Sequence, residues 1–137
     1  MTRGHELLEH TADVGIRARG STPEEAFAAV AEGLAELMGA WLPGRGHERK
    51  VEVEAADRPA LLVAWVDELL FLHESEDAVF GAFDVDGVTD ERLRARVLVS
   101  ARGDRDLEDV GIKAGTYHRL RVEPEGDVWL AQIYLDV

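Results

Sequence analysis

Asp13, the last residue of the tetrad His10-Thr11-Ala12-Asp13, and Asp136, one residue before Val137, place carboxylates near the two ends of the chain. Hard divalent cations prefer carboxylate, carbonyl and water oxygens. If the first and last strands meet in one sheet, Asp13, Asp136 and the main-chain carboxylate of Val137 would surround one such ion. The competing reading is that each Asp is a solvated residue at a strand end, and spacing alone leaves both open. A third polar group runs from Lys113 to His118. A general acid and base could be drawn from His10, His118 and the carboxylates, although a lone strand histidine is more often a hydrogen-bonded structural residue.

Other chemistries lack their residues. The chain has no Gly-x-Ser-x-Gly elbow, no His-Glu-x-x-His and no Walker loop. Asp84, Asp86 and Asp90 miss the EF-hand spacing, since Gly87 comes too early and no acidic residue stands at the twelfth position. Gly44-Arg45-Gly46 follows a helical segment and leads into a strand, the reverse of a nucleotide loop. With no cysteine, neither thiolate ligands nor a thiol nucleophile are available, which fits a reducing, cytoplasmic setting. The absence of an apolar membrane span and of a secretory apolar stretch points the same way.

The elements that must position these groups are legible in part. Alternation through Val14, Ile16 and Ala18 predicts a strand, or two strands around a turn at the tetrad. Thr22-Pro23-Glu24-Glu25 supplies an N-cap, a first-turn proline and a capping box, so a helix follows with Phe27, Val30, Ala31, Leu34 and Met38 on its apolar stripe and Gly39 at its end. Residues 40–50 read as a Gly-rich, basic loop before a strand at Val51–Ala55. Asp57-Arg58-Pro59 opens a second helix whose broad apolar face, Leu61 to Leu72, implies burial; Trp65 reads as core, Asp67 and Glu68 as solvated charges. Strands are expected at Val79–Val85 and Leu93–Ser100 around an Asp86-Gly87 turn, then a mixed-charge loop from Arg102 to Asp109. After Leu120 and Val122, a turn at Glu123–Asp127 leads to a last strand, Val128–Asp136.

At 137 residues, with no linker or repeat, one domain spanning 1–137 is expected. The element order predicts α+β architecture: two helices packed on one face of a mixed, largely antiparallel sheet, a single two-layer domain. The formal charge, 15 − 28 = −13, opposes strong direct binding to nucleic acid and suits encounter with a basic partner protein.

The run Leu8 to Ala18, the Pro-Glu-Glu-Ala-Phe helix start, Leu61 to Leu72, Lys113-Ala114-Gly115-Thr116-Tyr117-His118 and the closing Gln132-Ile133-Tyr134-Leu135-Asp136-Val137 together resemble the archease family, in the family's order over nearly the whole chain. The resemblance implies a non-catalytic, chaperone-like activator of the guanylylating tRNA-splicing RNA ligase, promoting its guanylylation and multiple turnover in tRNA splicing or RNA repair. It implies a bound divalent cation, calcium foremost with magnesium and manganese as alternatives, at Asp13, Asp136 and Val137. It also implies a functional lysine at Lys113, with His10, Thr116, Tyr117 and His118 in support. Two positions depart from the family pattern: Gly115 replaces a bulkier apolar residue, and Asp67 stands where Asn is common. The rival expectation is a small metal-dependent phosphoester hydrolase or phosphotransferase, in which the cation activates water and His118 carries the proton.

Overall fold

The computed structural model describes residues 3–10, 13–103 and 111–137. Two antiparallel sheets and two helices make up the fold. The first sheet holds β1 (Gly4–His10), β2 (Asp13–Gly20), β8 (Val128–Asp136) and β6 (Ala114–Gly115) in the order β1-β2-β8-β6, with β7 (Arg121–Glu125) also paired to β8. The second holds β3 (His47–Glu54), β5 (Arg92–Ala101) and β4 (Ala78–Val88), with β5 central. The α+β class and the antiparallel pairing match expectation. The strands nevertheless divide between two sheets instead of one.

That division explains why each helix buries a face broader than one apolar stripe. Helix α1 (Pro23–Leu37) buries six consecutive residues, Ala26 to Ala31, because it contacts β2 and β8 of one sheet and β4 of the other. Helix α2 (Arg58–Glu76) likewise touches strands of both sheets. A helix against a single sheet needs only one apolar stripe; a helix covered on two sides needs more. The indole N–H of buried Trp65 donates to the Phe27 carbonyl at 3.0 Å, joining the helices and satisfying the one polar atom of that ring. Among the described residues no helix is long and apolar enough to cross a membrane.

The helix starts follow the sequence rules. Thr22 Oγ1 accepts the Glu25 N–H at 3.1 Å and Glu25 accepts the Ser21 N–H at 2.9 Å, while Asp57 caps α2 through the Ala60 N–H at 2.8 Å. Three boundaries differ. Strand β3 begins at His47, so the loop ends before residue 50. Strand β4 runs through Asp86-Gly87 with a register shift there, and the chain turns at Thr89–Glu91, where Thr89 Oγ1 accepts the Arg92 N–H at 3.0 Å. Strand β7 reaches Glu125 before Gly126, at φ 66°, reverses the chain. Most of the mixed-charge loop, residues 104–110, and Thr11-Ala12 of the tetrad lie outside the described residues.

Candidate functional site

Strand register builds the site. In the first sheet Ile16 stands opposite Ile133, and both face the helices: a Cβ on Gly33 of α1 would meet Ile16, and one on Gly115 would meet Ile133 and Val66 of α2. Side chains alternate across a strand. Asp13, three residues before Ile16, and Asp136, three after Ile133, therefore point to the opposite face. They are direct partners in the β2–β8 ladder. Directly opposed residues in an antiparallel pair have Cβ atoms about 4.5–5.5 Å apart, so one ion can touch both carboxylates. The two ends of the chain do come together, at the rim of the sheet.

The surrounding charges make this pair stand out. On the same face Arg17 and Arg19 pair with Glu6 at 3.3 and 3.6 Å, Arg19 also binds Glu125 at 2.9 Å, and Arg121 binds Glu123. Arg19 holds the Glu125 carboxyl below the ordinary carboxylate range by donating a hydrogen bond to it. Among the described residues, Asp13 and Asp136 have no cationic side chain in ion-pair contact. Two like charges opposed across a ladder destabilise it, and a cation would remove that cost.

The donors fit a hard cation in part. Among the described residues no cluster of three acidic or histidine side chains surrounds a common point. Two carboxylates and the main-chain oxygens of Val137, which is 38% exposed, would therefore hold an ion whose remaining positions are open to water or to a partner. Of His10 only the backbone position is described: it pairs with Asp13 in the β1–β2 register.

On the other side of β8 lies the Lys113–His118 segment. The Lys113 N–H donates to the Asp136 carbonyl at 2.8 Å, Ala114 is the register partner of Asp136, and both the amide and the hydroxyl of Thr116 donate to the Tyr134 carbonyl at 2.9 Å. Lys113 is thus brought to Asp136 by its main chain. Its own side chain alternates away from that of Ala114. Lys113 lines a groove of about 570 Å³ together with Leu70, His73, Glu74, Asp77 and Arg102. Carboxylates and lysine occupy the two sides of one rim.

Thr116, Tyr117 and His118 divide in role. The Thr116 hydroxyl is a structural link to β8, as above. The His118 and Tyr134 rings pack in a T-shaped arrangement with centroids 5.7 Å apart, while Tyr117 is 68% exposed. Tyr134 is only 5% exposed although it lies on the outer face, because Gly15 leaves room for it: a Cβ there would stand 2.9 Å from Leu8 Cβ and 3.0 Å from Tyr134 Cε2.

Sequence reasoning missed two residues. Gln132, 4% exposed, accepts from Arg17 Nε at 2.8 Å and donates from Nε2 to the Arg119 carbonyl at 2.9 Å, tying the segment after His118 to β8 and β2. Set between Ala131 and Ile133 in the last strand, a polar residue type does not itself signal burial. Asp67, expected to be a solvated charge, accepts the Gly115 N–H at 2.8 Å. The two departures from the family pattern are therefore partners in one bond.

Fold and site together define a small α+β domain in which β2 and β8 set Asp13 and Asp136 opposite each other, without an ion-pair partner among the described residues, with Lys113 immediately before the edge strand β6. The Archease protein family model matches residues 5–137. An archease of Thermococcus gammatolerans is 42% identical over 98% of this chain and 99% of its own length, and one of Methanosarcina barkeri is 33% identical over 97% and 95%. The chain belongs to the archease family. The solution structure of protein 1598 of Methanobacterium thermoautotrophicum matches with a TM-score of 0.79 at 31% identity, covering 98% of this chain and 99% of that one. A Thermotoga maritima structure described as an archease and possible chaperone matches in fold, with a TM-score of 0.67 at 22% identity over 96% of each chain.

Proposed function

We propose that this archease activates the guanylylating tRNA-splicing RNA ligase, promoting formation of the ligase–guanylate and repeated turnover without carrying out a reaction of its own. The observation that supports this most is the direct register pairing of Asp13 with Asp136 at a solvent-facing rim that also carries Lys113. Asp13, Asp136 and main-chain oxygens of Val137 would hold a divalent cation, calcium first and magnesium or manganese next. When bound, that ion supplies positive charge at the rim and open positions for a partner's oxygen ligands.

The residues' own parts follow from their chemistry. Asp13 and Asp136 set the ion's place through a rigid ladder, a more precise support than a loop. Lys113 offers a compact ammonium, a point charge suited to a phosphate or carboxylate of the ligase–nucleotide complex. The acidic surface, at −13 overall, favours encounter with a basic protein surface and disfavours free RNA. On this proposal the protein acts on the ligase, in the cytoplasm, and not on the nucleic acid.

The test is guanylylation of the cognate ligase by GTP with this protein at substoichiometric amounts. Stimulation of more than one ligase per activator is expected, with loss in Asp13→Ala, Asp136→Ala and Lys113→Ala. Unchanged stimulation by all three variants, or turnover of phosphoester substrates without ligase, would refute the proposal.

A further inference from the structure

We infer that Asp67 is a positioning residue for the ligase-facing rim, acting through the main chain of Gly115 to fix Lys113. The inference rests on the function proposed above and adds to it a residue on a different element, α2.

Strand β6 has only two residues and lies at a sheet edge. Its bonds to β8 use the amides of Lys113 and Thr116, which donate to the carbonyls of Asp136 and Tyr134. The Gly115 amide points the other way. At an edge strand such a group would face water, but here Asp67 Oδ1 takes it at 2.8 Å. The strand is consequently held from two sides, by β8 and by α2, immediately after Lys113.

The approach is close enough to need a glycine. A Cβ at residue 115 would stand 2.9 Å from Ile133 Cδ1, 3.5 Å from Val66 Cγ1 and 3.6 Å from Asp67 Oδ1. Asp67 itself is exposed and makes no ion pair among the described residues. Its neighbours in the helix, Trp65, Val66 and Leu69, carry the packing. The carboxylate is therefore not needed to seat α2. Its oxygen meets one amide, and that amide sits two residues from Lys113.

An acceptor oxygen is what the contact requires, and its charge is secondary. Asp67→Asn keeps an oxygen and Asp67→Ala removes it, with the helix retained by both. Hydrogen exchange of the Gly115 amide reads the clamp itself. For Asp67→Ala we expect that amide to exchange roughly tenfold faster, as when one protecting bond is lost. Stimulation of ligase guanylylation should fall by about tenfold, the equivalent of one charge-assisted hydrogen bond, with the thermal midpoint little moved. Asp67→Asn should restore both readouts towards wild type.

Wild-type exchange at Gly115 in Asp67→Ala, full stimulation by that variant, or an Asn variant as impaired as the Ala variant would each overturn the inference. Absence of stimulation by the wild-type protein would instead overturn the functional reading, and this inference with it.

Discussion

At the scale of single residues, the opposition of Asp13 and Asp136 is a local cost that a function must justify. Cross-strand like charges destabilise by a few tenths to about 1 kcal/mol. Asp13→Asn and Asp136→Asn should therefore raise the thermal midpoint slightly in chelator, and unfolding curves recorded without divalent ions check it; a lower midpoint would show that the carboxylates are satisfied within the fold. Gly15 is the other sensitive position. Gly15→Ala would force Leu8 and Tyr134 apart, and overpacking of this kind costs about 1–3 kcal/mol, measurable by denaturant unfolding. The residue chemistry was partly legible in the sequence: the oxygen donors declared themselves by type. Their pairing did not, because a register between residues 13 and 136 depends on every strand in between. Asp67 was illegible for the same reason, its partner Gly115 lying 48 residues away.

Among the elements, the helices were the most legible, since caps and prolines act within one turn: Thr22, Pro23, Asp57 and Pro59 all do what their types dictate. Strand ends were less so. Asp86-Gly87 carries a turn signal but is absorbed as an irregularity in β4, because the pairing of Val88 with Leu93 carries the ladder past it. Glu24 contributes to that outcome by accepting the Val88 N–H at 3.0 Å from the first turn of α1. The split into two sheets was hidden as well. A broad apolar face says that a helix is covered, not by how many sheets. The second sheet carries its charges in cross-strand sets, with Arg96 of β5 binding Asp84 and Asp86 of β4 and Glu48 of β3, and Arg49 of β3 binding Glu76 of α2. Hydrogen bonds from Arg96 and Arg49 hold Asp86 and Glu76 below their ordinary values of 3.8 and 4.5. A depressed folded value gives stability that is present above the ordinary value and lost as pH falls through the folded one. The thermal midpoint should be flat from neutrality to about pH 4.5 and decline below it, with a shallower decline in Arg49→Ala. These groups are exposed, so each contributes little and the effect is read from the slope.

For the whole molecule, charge and topology point to one mode of action. With a formal charge of −13 the protein should not retain RNA in filter binding at roughly physiological ionic strength, where phosphate-backbone affinity depends on basic residues; retention comparable to that of the ligase would contradict the reading of a protein-directed activator. The topology needs β1, β2 and β8 to bring residues 13 and 136 into one ladder, and a core that survives the charge beside it. Trp65→Ala, which empties the contact between the helices, should cost about 3–5 kcal/mol and is checked by urea unfolding. Against that frame the rim is a small, exposed feature whose removal should leave the fold standing. The most direct measurement is a calorimetric titration of calcium, repeated with magnesium and manganese, into the wild-type protein and into Asp13→Asn and Asp136→Asn. The shared site predicts one ion per chain in the wild type and loss of that binding in each single variant. Equal binding by all three proteins, or none by the wild type, would contradict it.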